Sequence, residues 1–164
     1  MSSSYFAPAD RSDLDDAVSA WSVDAEDAAD IYGDINTWDV SAITDFSRLF
    51  QEQENFNSDI GNWDVSNGTS FRYMFTDASS FNQDISQWEV SAGTDFSFMF
   101  YRSESFNKDI SEWDVSNGID FDYMFLEAIS FDQDISYWAV REDASLRYMF
   151  SDLMIANQGF SETP

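Results

Sequence analysis

The chain repeats itself every 25 residues, and this period constrains the fold more than any other feature. The segment FNQDISQWEV, residues 81–90, follows FNSDIGNWDV at 56–65 and precedes FNKDISEWDV at 106–115. Five units start at Ile31, Phe56, Phe81, Phe106 and Phe131. A unit this short cannot bury its own apolar side chains, so the units are expected to stack on one another.

Besides the first position, six positions of the unit are apolar in all five copies. In unit 3 they are Ile85, Trp88, Val90, Phe96, Met99 and Phe100. The alternation of Trp88, Glu89 and Val90 predicts a short strand with Trp and Val inward. The i, i+3, i+4 spacing of the later three residues predicts a short helix. Asn at the second position of units 2–4 predicts a hydrogen-bonded ladder between units.

The predicted fold is therefore an α/β repeat of about five 25-residue coils, each with a short parallel strand and a short helix. A right-handed solenoid is expected, because crossovers between parallel strands prefer that hand. Leu14, Ala17, Val18 and Trp21 have helical spacing and predict an N-terminal capping helix at 12–30, begun by Ser12 or Asp13. Residues 1–11 are predicted to be flexible, 31–155 to form the five repeats, and 156–164 to form a C-terminal cap and tail.

The charge of the chain limits its partners. There are 32 acids and 7 bases, a net charge of −25, which disfavours nucleic acid and favours a protein partner, a basic one included. No apolar run is long enough for a membrane span. The chain has neither His nor Cys, so the commonest general base and thiol chemistry are absent. We therefore expect no enzyme and no cofactor.

Two rows of acids recur with the repeat. The turn-Asp row, at the fourth position, comprises Asp34, Asp59, Asp84, Asp109 and Asp134. Stacked carboxylates repel, so we expect backbone N–H groups, a Ca²⁺ ion or a partner's basic groups to offset them, and Asp84 to tie one unit to the next. The acidic row, at the ninth position, comprises Asp39, Asp64, Glu89 and Asp114. It is predicted to point outward, as a solvated face or as a docking stripe for a basic partner.

A third row is aromatic. It comprises Tyr73, Phe98, Tyr123 and Tyr148, each two residues before the last Phe of its unit. On the predicted helix these residues leave the core face, so they are either its half-exposed shoulder or candidate partner-binding residues.

The unit FNQDISQWEVSAGTDFSFMFYRSES closely resembles the repeat of BspA-like leucine-rich-repeat surface proteins, over about residues 12–155. The resemblance implies a leucine-rich-repeat-like solenoid and a noncatalytic protein-interaction or adhesion module at the cell surface or outside the cell. The start MSSSYFAPADRSD has no signal-peptide pattern, so an intracellular location stays open. Two other functions stay open: a structural subunit of a larger assembly or shell, and a cation-dependent surface adhesin.

Overall fold

The structure, a computed structural model, describes residues 5–151. Two helices come first, α1 (Arg11–Val23) and α2 (Ala25–Tyr32), followed by a single turn of 3-10 helix at Ile35–Thr37. Within the described residues, unit 1 contains the end of α2 and the 3-10 turn, whereas units 2–5 contain no α-helix and no β-strand and consist of turns and extended segments. The predicted α/β repeat solenoid of strand and helix is therefore wrong.

The predicted helix of each unit is instead a series of overlapping turns. Met99 N donates to the Phe96 carbonyl oxygen at 3.1 Å, which closes a four-residue turn. Phe98 has φ 58°, the left-handed conformation that a type II turn requires at its third residue. Phe96 N donates to the Asp120 carbonyl oxygen of the next unit at 2.8 Å. The i, i+3, i+4 spacing was misleading because consecutive turns bury the same residues as one helical face.

The predicted strand is replaced by single bridging residues. Isolated parallel bridges join residues 25 positions apart, in the series Asp45, Ser70, Asp95, Asp120 and Ser145. The backbone turns on either side of each bridge, so pairing never extends into a strand. The bridges also lie away from the predicted Trp-acid-Val segment. The alternation in that segment is nevertheless correct, because Trp88 and Val90 are buried and Glu89 is exposed.

The six apolar positions form the predicted core. In unit 3 each of these side chains is at most 3% exposed. Equivalent rings stack from unit to unit, with centroids 5.4 Å apart for Phe71 and Phe96 and 5.3 Å apart for Phe96 and Phe121. In unit 5 the pattern weakens, because Val140 and Leu146 are only half-buried.

Polar groups tie the units together at the edge of this core. The Trp88 indole N–H donates to the Ile60 carbonyl oxygen of the preceding unit at 3.1 Å, so the buried Trp loses no hydrogen bond. The predicted Asn ladder is confirmed, with backbone donors: Asn82 N donates to Asn57 Oδ1 at 2.9 Å and Asn107 N to Asn82 Oδ1 at 3.0 Å. Both contacts repeat between other pairs of units.

The N-terminal helix caps the stack of units. Leu14, Ala17 and Val18 of α1 are buried in the common core, and Trp21 is half-buried against it. The helix is capped by Asp10, whose Oδ1 accepts from Asp13 N at 3.1 Å, rather than by Ser12 or Asp13. Asp24 ends α1 and caps α2, so residues 12–30 hold parts of two helices.

The segment before α1 also contacts unit 1. Phe6 packs edge-on against Tyr32 and Trp38, with centroids 4.8 and 5.2 Å away. The predicted C-terminal cap at 156–164 lies outside the described residues.

Candidate functional site

The aromatic row forms a continuous stack along one side of the units. Ring centroids lie 4.6 Å apart for Tyr73 and Phe98, 4.6 Å for Phe98 and Tyr123, and 5.2 Å for Tyr123 and Tyr148. The first three rings are half-buried, and Tyr148 is 65% exposed. The structure thus brings these four predicted residues together at the surface.

The backbone holds every ring of this row in an unfavourable conformation. The φ angles of Tyr73, Phe98, Tyr123 and Tyr148 are 58°, 58°, 60° and 52°. A bulky residue in the left-handed region is a genuine outlier, at a cost of about 1–2 kcal/mol for each residue. Gly or Asn would occupy the same turn with less strain. Ring stacking, at about 0.5–1.5 kcal/mol for each pair, offsets part of that cost.

Arginine side chains lie near the row, two of them against Tyr73. Arg48, which takes the same position in unit 1, places its guanidinium carbon 4.2 Å from the centroid of Tyr73, and Arg72 lies 5.0 Å from that centroid. Arg102 lies 5.0 Å from the centroid of Tyr101. The sequence prediction missed Arg48, Tyr101 and Arg102. The register of the repeat could have found Arg48, because it stands 25 residues before Tyr73.

Asp122 is a buried carboxylate next to this surface. It accepts hydrogen bonds from Ser145 Oγ at 2.5 Å, Arg147 N at 2.9 Å and Arg147 Nε at 2.8 Å. Burial alone would raise the pKa of Asp122, but these hydrogen bonds outweigh burial and lower the pKa below its ordinary value. No sequence signal marked Asp122, because its position in the unit holds Ser, Arg or Asp. Its contacts connect units 4 and 5.

The acidic row points outward, as predicted, and its Asp residues also shape the backbone. Asp39 Oδ1 accepts from Ser41 N at 3.1 Å, Asp64 Oδ1 from Ser66 N at 3.0 Å and Asp114 Oδ1 from Ser116 N at 3.0 Å. These are turns in which Asp binds the backbone two residues ahead. Hydrogen bonds from the Ser41 side chain and backbone lower the pKa of Asp39, and those from Ser116 lower the pKa of Asp114. Glu89 takes the equivalent exposed position.

The turn-Asp row makes the same local contact. Asp84 Oδ1 accepts from Ser86 N at 3.0 Å, within its own unit, and the positive charge of Lys108 in the next unit also favours its charged form. In the same row, Asp59 Oδ2 accepts from Asn36 Nδ2 of the preceding unit at 2.9 Å. Contacts equivalent to that of Asp84 with Ser86 N form at Asp34, Asp59, Asp109 and Asp134. Backbone N–H groups thus offset these charges. Within residues 5–151, no three acids lie close enough to hold a metal ion.

The chain matches one protein family, described as "Mycoplasma protein of unknown function, DUF285", over residues 22–117 and 94–163. These ranges cover more than half of the chain, which therefore belongs to the DUF285 family. No curated protein and no solved structure matches the chain. Among the described residues, no helix is both long and apolar enough to cross a membrane.

Proposed function

We propose that the chain is a noncatalytic protein-binding module that contacts its partner through the aromatic row. The supporting observation is the left-handed backbone of its four aromatic residues, where the turns themselves favour Gly or Asn. The turns of every unit share this backbone conformation, which Arg48, Glu52 and Asp77 also adopt, so what distinguishes the row is that its left-handed positions hold aromatic rings. The row gives a partner rigid rings whose side-chain freedom is already lost, which reduces the entropic cost of binding.

The neighbouring residues support a protein partner. Tyr and Arg are among the residue types that contribute most to protein interfaces, and Arg48 and Arg72 pack on Tyr73 of the row. The net charge of −25 favours a partner whose facing surface is basic or neutral. A cell-surface location is part of this proposal and is supported by the repeat pattern alone.

Site-specific crosslinking tests the proposal. A photoreactive phenylalanine analogue replaces Tyr123 in the aromatic row or, as the matched control, exposed Glu112 in the same unit. Both forms are irradiated in native cell extract. We expect a defined protein adduct from position 123 and none from position 112. Equal adducts from both positions, or none from position 123, would contradict the proposed surface.

A second measurement uses the partner identified by crosslinking. Tyr123→Asn removes the ring and keeps a residue that tolerates the left-handed backbone, whereas Asp114→Asn removes one charge of the acidic row and keeps an oxygen for its turn. We expect Tyr123→Asn to weaken binding by about tenfold or more. Asp114→Asn is expected to change it much less. If Asp114→Asn weakened binding more than Tyr123→Asn, the interface would be assigned to the acidic row.

A further inference from the structure

Two arginines meet at the first ring of the aromatic row. Arg48 N donates to the Arg72 carbonyl oxygen at 2.9 Å, which places these residues of units 1 and 2 side by side. Their guanidinium carbons lie 4.2 and 5.0 Å from the centroid of the Tyr73 ring. Both arginines are exposed and Tyr73 is half-buried, so two positive charges lie at the surface against one ring. We call these three residues the arginine cluster.

The arginines of this cluster lack the partner that every other arginine of the chain has. The others each form an ion pair with an Asp or Glu side chain; they are Arg11, Arg102, Arg141 and Arg147. Among the described residues, neither Arg48 nor Arg72 forms such a pair. The chain has 32 acids and only 7 bases, so two arginines without a carboxylate depart from the pattern of the whole surface.

The contacts of the cluster leave most of its donors free. Arg48 Nη1 donates to Gln51 Oε1 at 2.7 Å, and among the described residues its side chain makes no other hydrogen bond. A guanidinium group carries five N–H donors, and contact with an aromatic ring does not use them up. The remaining donors form the planar fork that binds a carboxylate through two parallel hydrogen bonds.

We propose that the arginine cluster binds the carboxylate of an Asp or Glu side chain of the partner protein. The inference rests on the proposed function and specifies which group the partner places at the first ring of the aromatic row. A carboxylate fits because its two oxygens match the fork of a guanidinium group. The Tyr73 ring holds both arginine side chains against it, which reduces the entropy they lose on binding.

The surroundings favour a carboxylate over a phosphate or sulfate group. Hydrogen bonding to the Tyr73 side chain raises the pKa of Arg72, and the negative charges of Asp95 and Asp120 raise it further. The same two acids weaken the positive potential that a ligand meets. Attraction grows in proportion to the charge of the ligand, whereas the cost of removing that charge from water grows with its square. At a weakened potential, a single negative charge is therefore the better match.

The net charge of the chain does not prevent this contact. Charges farther away than about 8 Å are largely screened at physiological salt, so the nearest groups decide which part of the partner binds. A partner surface that is basic or neutral elsewhere can place one carboxylate at the arginine cluster. The contact also fixes the orientation of the partner, because it occurs at one end of the aromatic row.

Binding of free acetate to the chain is the first test, and it does not require the partner. Nuclear magnetic resonance observes the arginine Nε–H groups at about pH 6, where acetate is charged. Arg→Gln variants assign the signals. We expect sodium acetate to shift the Arg48 and Arg72 signals to a plateau and to leave the signal of Arg141, which pairs with Asp143, in place. Sodium chloride at the same ionic strength should have a much smaller effect.

Four results of this titration would overturn the inference. The first is the absence of shifts at Arg48 and Arg72. Equal shifts with chloride would show general screening, and equal shifts at Arg141 would show binding to any arginine. Saturation by sodium sulfate at a lower concentration than by acetate would assign the cluster to a doubly charged anion.

The partner that crosslinks at position 123 allows the second test. Replacing both arginines, Arg48→Gln together with Arg72→Gln, should weaken binding by about tenfold and reduce its dependence on salt. Arg141→Gln is the control and should change binding by less than about twofold. Near-ultraviolet circular dichroism checks that each variant is folded. Unchanged affinity of the double variant would overturn the inference.

Changes in the partner identify the carboxylate itself. Each Asp or Glu near its crosslinked site is replaced by Asn or Gln, and binding to the parent chain and to the double variant is compared. We expect one replacement to weaken binding to the parent chain and to have no further effect in the double variant. If every replacement acts equally on both, no carboxylate contacts the cluster and the inference is wrong.

The failure of this inference differs from the failure of the proposed function. An adduct at position 123 whose partner binds the double variant as tightly as the parent chain contradicts the carboxylate contact and leaves the aromatic row as the interface. Binding of acetate at Arg48 and Arg72 without any adduct at position 123 contradicts the aromatic row as a protein interface and leaves the carboxylate site.

Discussion

The side chain of Arg11 binds the backbone of Ser47: its Nη2 donates to the Ser47 carbonyl oxygen at 2.6 Å. Its Nη1 donates to the Asp45 carbonyl oxygen at 2.8 Å, and its Nε pairs with Asp15 at 2.9 Å. One arginine of the capping helix thus satisfies the carbonyl groups that a preceding unit would otherwise bind. The first unit can be the end of the stack because of this contact.

Replacing Arg11 by glutamine should destabilise the chain. The variant leaves two backbone carbonyl groups without their charged donor, and we expect the free energy of unfolding to fall by about 2 kcal/mol. Urea unfolding measures the change. Arg141→Gln is the matched control, because Arg141 pairs with Asp143 at the surface, and it should have little effect. Equal effects of the two variants would refute the role of Arg11.

The sequence predicted which side chains are buried better than it predicted the backbone. Phe96, Met99 and Phe100 are buried as expected, because burial follows from apolar character and period. Their helix was wrong, because the left-handed turn at Phe98 has no signal in a residue type that avoids it. The residues of the aromatic row were predicted correctly as a group because they recur at the same position of the 25-residue unit. Arg11 was missed, because a residue that occurs once leaves no periodic signal.

Any side chain at position 118 should clash with its neighbours, so replacing Gly118 should destabilise the chain. A Cβ atom there would lie 2.2 Å from Phe121 Cζ and 3.0 Å from the Val115 carbonyl oxygen. Since Phe121 is fully buried and stacked, its ring cannot move aside, and Gly118→Ala should destabilise the chain by about 2–3 kcal/mol. Thermal unfolding measures the loss. Glu112→Ala, an exposed change in the same unit, should be almost neutral, and a neutral Gly118→Ala would contradict the packing described.

The indole N–H of Trp113 should contribute measurably to stability. It donates to the Ile85 carbonyl oxygen at 3.2 Å in the buried core, where Trp88 N donates to the same oxygen at 3.1 Å. Trp113→Phe therefore removes one of two hydrogen bonds to that carbonyl and should cost about 1.5 kcal/mol. Trp21→Phe is the control: its indole N–H bonds to Ser58 Oγ in a half-buried site where water can replace it, and we expect a loss below about 1 kcal/mol. Urea unfolding of both variants compares the sites. If Trp21→Phe lowered the free energy of unfolding more than Trp113→Phe, the hydrogen bond between units at Trp113 would contribute less than the one that Trp21 of the capping helix makes.

Asp109 of the turn-Asp row should make stability depend on pH. Hydrogen bonds from the backbone and side chain of Ser111 lower the pKa of Asp109. A carboxyl group whose pKa is lower in the folded state stabilises the fold above its unfolded pKa, and this contribution is lost as pH falls through the folded pKa. The loss should therefore appear below about pH 4.

The matched variant for that prediction is Asp109→Asn, which keeps an acceptor for Ser111 N and cannot titrate. Urea unfolding of both proteins from pH 7 to pH 2.5 gives the difference in their free energies of unfolding. The net charge of −25 affects both proteins nearly equally, so it largely cancels in this difference. We expect the variant to gain stability relative to the parent chain only as pH falls below about 4. A difference that stays constant down to pH 2.5 would show that the hydrogen bond from Ser111 does not depend on the charge of Asp109.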